Sequence, residues 1–155
     1  MRIRSRLLIL GLLLILLNLM NLSPSLATKT GEKELAGVSY LIFSPFCHQI
    51  SSRSFHLFGV QLAVCARCTG IYLGLLLGII FFIIFSPKIS QLALVPILVM
   101  AGDGLVNWLG LVSSPSWLRF IFGLGFGFVG GWLLGIGSDQ LGAFKEKKWQ
   151  TRSIS

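Results

Sequence analysis

The sequence predicts an all-α integral membrane protein, a bundle of four transmembrane helices with glycine-zipper spans and an outer loop that contains cysteine and histidine. Of its 155 residues, 54% are hydrophobic and only 12% are charged, and the mean hydropathy is +0.84. Soluble domains are about one-quarter charged, so lipid must cover much of this surface. Four long stretches are almost free of charge, and glycines recur every four residues in two of them.

The uncharged stretches are long enough to cross a bilayer. A hydrocarbon core about 30 Å thick needs roughly 20 apolar residues, and Asp103 is the one charge within the four stretches. We predict a single membrane domain over residues 1–155. Its predicted parts are transmembrane helices at 1–27, 69–87, 91–112 and 117–137, an extracytoplasmic loop at 28–68 and a basic cytoplasmic tail at 138–155.

The first stretch has two interpretations. Its basic start, apolar run and Ser25-Leu26-Ala27 are also typical of a signal peptide cleaved after Ala27. The uncharged run at 7–28 is longer than the 7 to 15 residues usual for such a peptide, so we favour a retained helix. We expect Ser23-Pro24-Ser25 to end that helix. Apolar residues at helical spacing then predict a short helix over 32–43, resting on the membrane surface.

The basic residues predict the orientation. Eight of the 13 lysines and arginines lie at 2–6, 88 and 145–152, on one side of a four-span bundle. The positive-inside rule then places both termini in the cytoplasm and the Cys/His loop outside a multi-pass protein of the plasma membrane. We interpret the +8 net charge as a topology anchor against anionic lipid, so the bilayer is the expected partner and nucleic acid is not. A homo-oligomer or a membrane protein partner stays open.

The glycines predict close helix packing. In lipid, small residues four apart form a stripe along which two helix backbones can approach. The second and fourth spans have such stripes: Gly70, Gly74 and Gly78, and Gly123, Gly127, Gly131 and Gly135.

All the cysteines and histidines of the chain lie between residues 47 and 68. Cys65 and Cys68 are one helical turn apart, and Cys47 with one histidine would complete the Cys₃His set that zinc favours. His48 directly follows Cys47 and adjacent side chains diverge, so we expect His56 to be the fourth ligand. Another metal that binds thiolates, such as Cu(I), suits the same donors.

The same thiols allow two other functions. An extracytoplasmic C-x-x-C pair, Cys65 and Cys68, is also typical of a membrane thiol–disulfide oxidoreductase, with Cys47 as the resolving thiol. The odd number of cysteines disfavours it. The third hypothesis is a structural or assembly subunit in which the cysteines only pin the loop to the bundle. The sequence does not decide whether the protein is an enzyme, and it indicates no substrate.

Asp103 is the second indication of a polar site. A carboxylate within a span costs about 2.5 to 3.5 kcal/mol on insertion scales, so it usually faces a partner or a cavity. Asn107 shares its helix face, and Arg119 and Arg67 are the expected counter-ions. Arg53 or Arg67 would also offset the charge of a thiolate cluster.

These residues resemble an uncharacterised prokaryotic family of small predicted membrane proteins, known only as a domain of unknown function. The resemblance covers about residues 35–135, and it implies an integral membrane protein with one shared polar site. Where that family often has glutamine four residues after the aspartate, this chain has Asn107. The matching motifs are Cys47-His48-Gln49, Arg53-Ser54-Phe55, Cys65-Ala66-Arg67-Cys68-Thr69-Gly70-Ile71-Tyr72 and Asp103-Gly104, followed by Arg119 and Gly123.

Overall fold

A computed structural model describes residues 2–31, 33–85, 94–108 and 114–152 of the chain. Its helices are α1 (Arg2–Thr30), α2 (Lys33–Phe43), α3 (Ala66–Phe85), α4 (Leu94–Trp108) and α5 (Ser116–Arg152). Between α2 and α3 the chain forms a 3₁₀ turn at Ser51–Arg53 and a hairpin of β1 (His56–Leu57) and β2 (Val60–Gln61). Both ends of the predicted span at 91–112 lie outside the described residues.

Three helices in the described part of the chain are long and apolar enough to cross a bilayer. These candidate spans are Ser5–Thr28, Ala66–Phe85 and Ser116–Ser138. The prediction of a mostly helical membrane protein is therefore confirmed, while the fourth span, which would contain α4, stays a prediction. The short helix predicted at 32–43 is observed as α2, and the loop after it contains a hairpin for which the sequence offered no usable signal.

Helix α1 continues through Pro24, so the predicted break at Ser23-Pro24-Ser25 is wrong. Proline lacks the N–H that would donate to the carbonyl four residues earlier, which is that of Met20. The Ser23 hydroxyl donates to this carbonyl instead, at 2.7 Å. A serine side chain that replaces the lost backbone bond is a usual reason why membrane helices tolerate proline.

Helices α3 and α5 pack along their glycines and run in the same direction. A side chain at Gly70 would collide with the backbone of Phe120, and one at Gly78 would collide with that of Phe128. The residue numbers rise together along both helices, which defines a parallel pair. Small residues permit this close approach of two backbones. The same relation holds for Gly74 of α3 and for Gly123, Gly127 and Gly131 of α5.

Helix α1 is antiparallel to α3. Near its start, Leu7 and Leu14 share a buried cluster with Phe82, which is close to the end of α3. Near its end, the Asn21 amide donates to the hydroxyl of Thr69, in the first turn of α3, at 3.1 Å. The end of α1 and the start of α3 therefore lie at the same end of the bundle.

Helix α4 runs back toward that same end. A Cβ at Gly125, within α5, would lie 3.4 Å from the Pro96 side chain. Seven residues later, Asp103 forms an ion pair with Arg67 at the start of α3. At this end of the bundle α1 and α4 end and α3 and α5 begin. We call this end the mouth.

Candidate metal centre

The three cysteines converge at the mouth. Cys47 is buried just after α2, Cys65 directly precedes α3, and Cys68 lies in its first turn. Their sulfur atoms all lie within 4.8 Å of one another, and all three are free thiols. Residues separated by up to 21 positions in sequence thus form one group of soft donors.

Hydrogen bonds already favour a thiolate in this group. The Cys65 backbone N–H donates to Cys47 Sγ at 3.1 Å. Hydrogen bonds from the thiols of Cys65 and Cys68 lower the pKa of Cys47 well below its usual range. The hydrogen bond between the Cys65 thiol and the Cys47 sulfur raises the pKa of Cys65, because it holds the Cys65 proton in place. The cluster therefore stabilises negative charge on Cys47, whereas the raised pKa makes Cys65 harder to ionise. Because thiolates are the form that binds metals, a metal would have to displace the remaining thiol protons.

Two glutamines hold the loop that positions Cys47. Gln49 has a left-handed backbone, with φ of 51°, which is uncommon for residues other than glycine. Its amide donates to the carbonyls of Tyr40 and Ala63, at 2.8 and 3.0 Å. The Gln61 amide donates to the Gln49 carbonyl at 2.7 Å and to the Ser54 hydroxyl at 3.2 Å. The sequence reasoning did not recognise this framework.

Asn21 joins the first helix to the site and was also missed. Only 2% of Asn21 is exposed. Its side-chain oxygen accepts a hydrogen bond from the Val64 N–H at 3.0 Å, and its carbonyl accepts one from the Ala63 N–H at 3.1 Å. An amide within a largely apolar stretch of α1 was the available signal, because polar side chains within spans often bond a neighbouring element.

We expect Asn21→Leu to destabilise the protein by about 1–3 kcal/mol, because the Val64 N–H would be buried without its acceptor. Asn18→Leu is the matched control, since within the described chain the Asn18 amide donates to Leu14 of its own helix, at 2.8 Å, and to no other element. Thermal unfolding in detergent should separate the two variants. Equal melting temperatures would contradict the assigned role of Asn21.

The two histidines are placed differently. His56 lies in β1 opposite Gln61, is exposed, and its Nε2 is 3.1 Å from the Ser51 hydroxyl. His48 lines a cavity beside the cysteines. Among the described residues, neither belongs to the group of donor atoms within 4.8 Å. Both histidines are exposed, but only His48 borders the cavity, whereas His56, the histidine preferred from sequence, lies on the hairpin. Which histidine is a ligand stays a prediction.

Asp103 connects three elements at the mouth. It forms an ion pair with Arg67, and the Ser114 hydroxyl donates to its other oxygen. Arg119 donates from Nε to the Ser114 carbonyl at 2.7 Å and is only 5% exposed. Of the two expected counter-ions, Arg67 is the ion-pair partner. The side chain of Asn107 lies outside the described part of the chain.

A cavity of about 290 Å³ opens beside the sulfurs. It combines soft donors with positive charge, because all three cysteines and three arginines border it. Its lining consists of Phe46, Cys47, His48, Gln49, Ile50, Arg53, Cys65, Arg67, Cys68 and Arg119.

Comparison with known proteins places this site in a family context. A model of predicted membrane proteins, DUF2085, matches residues 47–133, a segment that includes all three cysteines and begins after α1. The chain is 42% identical over 99 residues to an uncharacterized protein of Methanocaldococcus jannaschii, covering 57% of this chain and 61% of that protein. It is 34% identical over 86 residues to an uncharacterized protein of Methanothermobacter thermautotrophicus, covering 53% and 78%. No solved structure matches the chain.

Proposed function

The chain belongs to the DUF2085 family of predicted membrane proteins. We propose that it is a multi-pass membrane protein with a thiolate metal centre of the zinc class. Cys47, Cys65 and Cys68 are the proposed ligands. The observation that supports the centre is the approach of their three sulfurs to within 4.8 Å.

The sulfur positions fit a tetrahedral metal with little movement. Zinc–sulfur bonds of about 2.3 Å in tetrahedral geometry separate two sulfurs by about 3.8 Å. The upper limit of 4.8 Å therefore requires contraction by roughly 1 Å at most. His48 is the proposed fourth ligand from the protein. A ligand from outside the chain is the alternative, as in zinc sites that keep one open position.

The arginines balance the charge of this centre. Three thiolates and one divalent ion leave one net negative charge beside the cavity. Arg53, Arg67 and Arg119 border the same cavity, so the field there favours the ionised thiols that a metal requires. A bound metal would hold the loop after α2 to the start of α3.

The parallel packing of α3 and α5 supports four spans rather than three. If two parallel helices cross one bilayer, the chain between them must cross it in the opposite direction. Residues 86–115 form that connection, and α4 within them runs back toward the mouth. Both termini then lie on the opposite side from the mouth. The many basic residues near them favour the cytoplasm for that side, and hence a plasma-membrane protein with an extracytoplasmic metal centre.

Metal analysis of the purified protein tests the proposal. We expect about one zinc-class ion per chain, and a loss of at least about tenfold in metal affinity for Cys47→Ser, Cys65→Ser and Cys68→Ser. His56→Ala is the matched control and should keep its metal, whereas His48→Ala should weaken binding if this histidine is a ligand. Absence of stoichiometric metal from the unaltered protein would reject the centre.

Thiol–disulfide exchange is the second candidate, because the Cys47 sulfur contacts both members of the C-x-x-C pair. Mass spectrometry under non-reducing conditions distinguishes the two functions. A disulfide between Cys65 and Cys68 in metal-free protein would favour exchange. Cysteine variants that lose only abundance would instead favour a structural role.

A further inference from the structure

The cavity at the mouth has an excess of positive charge. Arg53, Arg67 and Arg119 border it, and Asp103 is the sole acidic residue between positions 35 and 138 of the sequence. Three guanidinium groups and one carboxylate leave two positive charges. If the cysteines hold a divalent ion as three thiolates, one positive charge still remains in excess.

Two helix ends add to this positive potential. Helices α3 and α5 are parallel, and they begin at the mouth, at Ala66 and Ser116. Each helix start is equivalent to roughly half a positive charge and presents N–H groups that an anion can accept from. The fold therefore places two dipoles of the same sign beside the arginines.

One arginine also has a donor to spare. The Nε atom of Arg67 is buried and has no hydrogen-bond partner within the described chain. A buried donor of a charged group without an acceptor is costly, so such a donor indicates an acceptor supplied from elsewhere. Arg67 borders the cavity with the exposed Arg53 and the buried Arg119, so the arginines extend from solvent into the protein.

We propose that this cavity binds a phosphate-class oxyanion, either free or as the headgroup phosphate of a membrane lipid. Guanidinium groups present paired donors that match the oxygens of phosphate, and three of them suit a group with several oxygens. The volume of about 290 Å³ accommodates a group of this size. The site goes beyond the proposed metal centre, since its donors are arginines and helix ends rather than sulfurs.

Binding of radiolabelled inorganic phosphate to the full chain in phosphatidylcholine nanodiscs tests this site. Arg53→Gln is the test variant because Arg53 is exposed and its loss should not disturb folding. We expect it to weaken phosphate binding by about tenfold or more, the usual effect of one charged hydrogen bond. Arg6→Gln is the matched control, an exposed arginine near the start of α1, and should bind phosphate as the unaltered protein does.

A second arm identifies the source of the phosphate. In nanodiscs containing phosphatidylglycerol, native mass spectrometry should detect retained anionic lipid that competes with inorganic phosphate if the headgroup is the natural occupant. Binding of phosphate without such competition would indicate a free oxyanion. Equal behaviour of Arg53→Gln and Arg6→Gln in both arms would overturn the proposal.

The metal centre is tested separately in the same samples. Chelator-treated protein and Cys47→Ser should still bind phosphate, because the arginines remain. Arg53→Gln should still bind one metal ion per chain at saturating zinc, because all three sulfur ligands remain, although the loss of one balancing charge lowers the metal affinity. Failure of either site can therefore be recognised without the other.

Discussion

Replacing Gly127 with alanine is expected to force α3 and α5 apart and to destabilise the fold strongly. The new Cβ would lie 2.9 Å from both the Cα and the carbonyl carbon of Ile71. Overpacking typically costs 1–3 kcal/mol even where side chains can adjust. Here the obstacle is helix backbone, so the helices themselves must move apart and lose contacts along their whole length. We expect a loss above about 3 kcal/mol, against the roughly 5–15 kcal/mol of stability usual for a folded domain.

Gly137→Ala is the matched control within the same helix. A Cβ there would meet nothing within 4 Å among the described residues, and alanine favours helix over glycine by about 0.8–1.0 kcal/mol. This variant should therefore be as stable as the unaltered protein or slightly more so. The stability of both variants is measured by their abundance in membranes and their melting temperature in detergent. If Gly127→Ala and Gly137→Ala have the same melting temperature, α3 and α5 do not approach each other as closely as described.

The features that a sequence can indicate without knowledge of the fold are those with a fixed period. A four-residue spacing of glycines defines one stripe on any helix, so it indicates a packing face before the partner helix is known. The Cys65–Cys68 spacing is similarly local, and it placed both thiols on one helical turn. The position of Cys47 was harder to predict, because its approach to Cys65 and Cys68 depends on how the intervening loop folds.

The features that the sequence did not indicate depend on individual hydrogen bonds that follow no periodic pattern. Pro24 was expected to end a helix, but a hydroxyl one residue away compensates for its missing N–H. His56 was preferred over His48 by a rule for adjacent side chains; the hairpin places His56 near Ser51, and the identity of the fourth ligand stays a prediction. Neither the left-handed backbone of Gln49 nor its two carbonyl partners has a periodic signal. Loop geometry of this kind follows from tertiary packing rather than from local pattern.

Asp103 had two expected counter-ions, and the structure shows its ion pair with Arg67. The sequence indicated that Asp103 needed a counter-ion, and both Arg67 and Arg119 were available. The parallel arrangement of α3 and α5 brings both arginines to the mouth, and α4 then reaches them with its carboxylate. The structure gives the ion pair to Arg67, while Arg119 bonds the Ser114 carbonyl that precedes α5.

We expect Asp103→Leu to destabilise the protein by about 3–5 kcal/mol, the usual cost of removing one partner of a buried ion pair. The Asp103 side chain is 5% exposed and that of Arg67 is 24% exposed, so the guanidinium would lose its anion where water replaces it poorly. The variant would also lose the hydrogen bond from Ser114, which connects α4 to the start of α5. Thermal unfolding in detergent measures the loss.

A double-mutant cycle separates the ion pair from the general effect of removing a charge. Arg67→Leu combined with Asp103→Leu removes both members of this pair and leaves neither of them as a buried unpaired charge, so the double variant should be more stable than Asp103→Leu alone. Glu34→Leu is the control for loss of an exposed carboxylate and should change the melting temperature little. Strictly additive losses in the cycle would show that the two side chains do not interact. Other contacts along α4 would then hold it against α3.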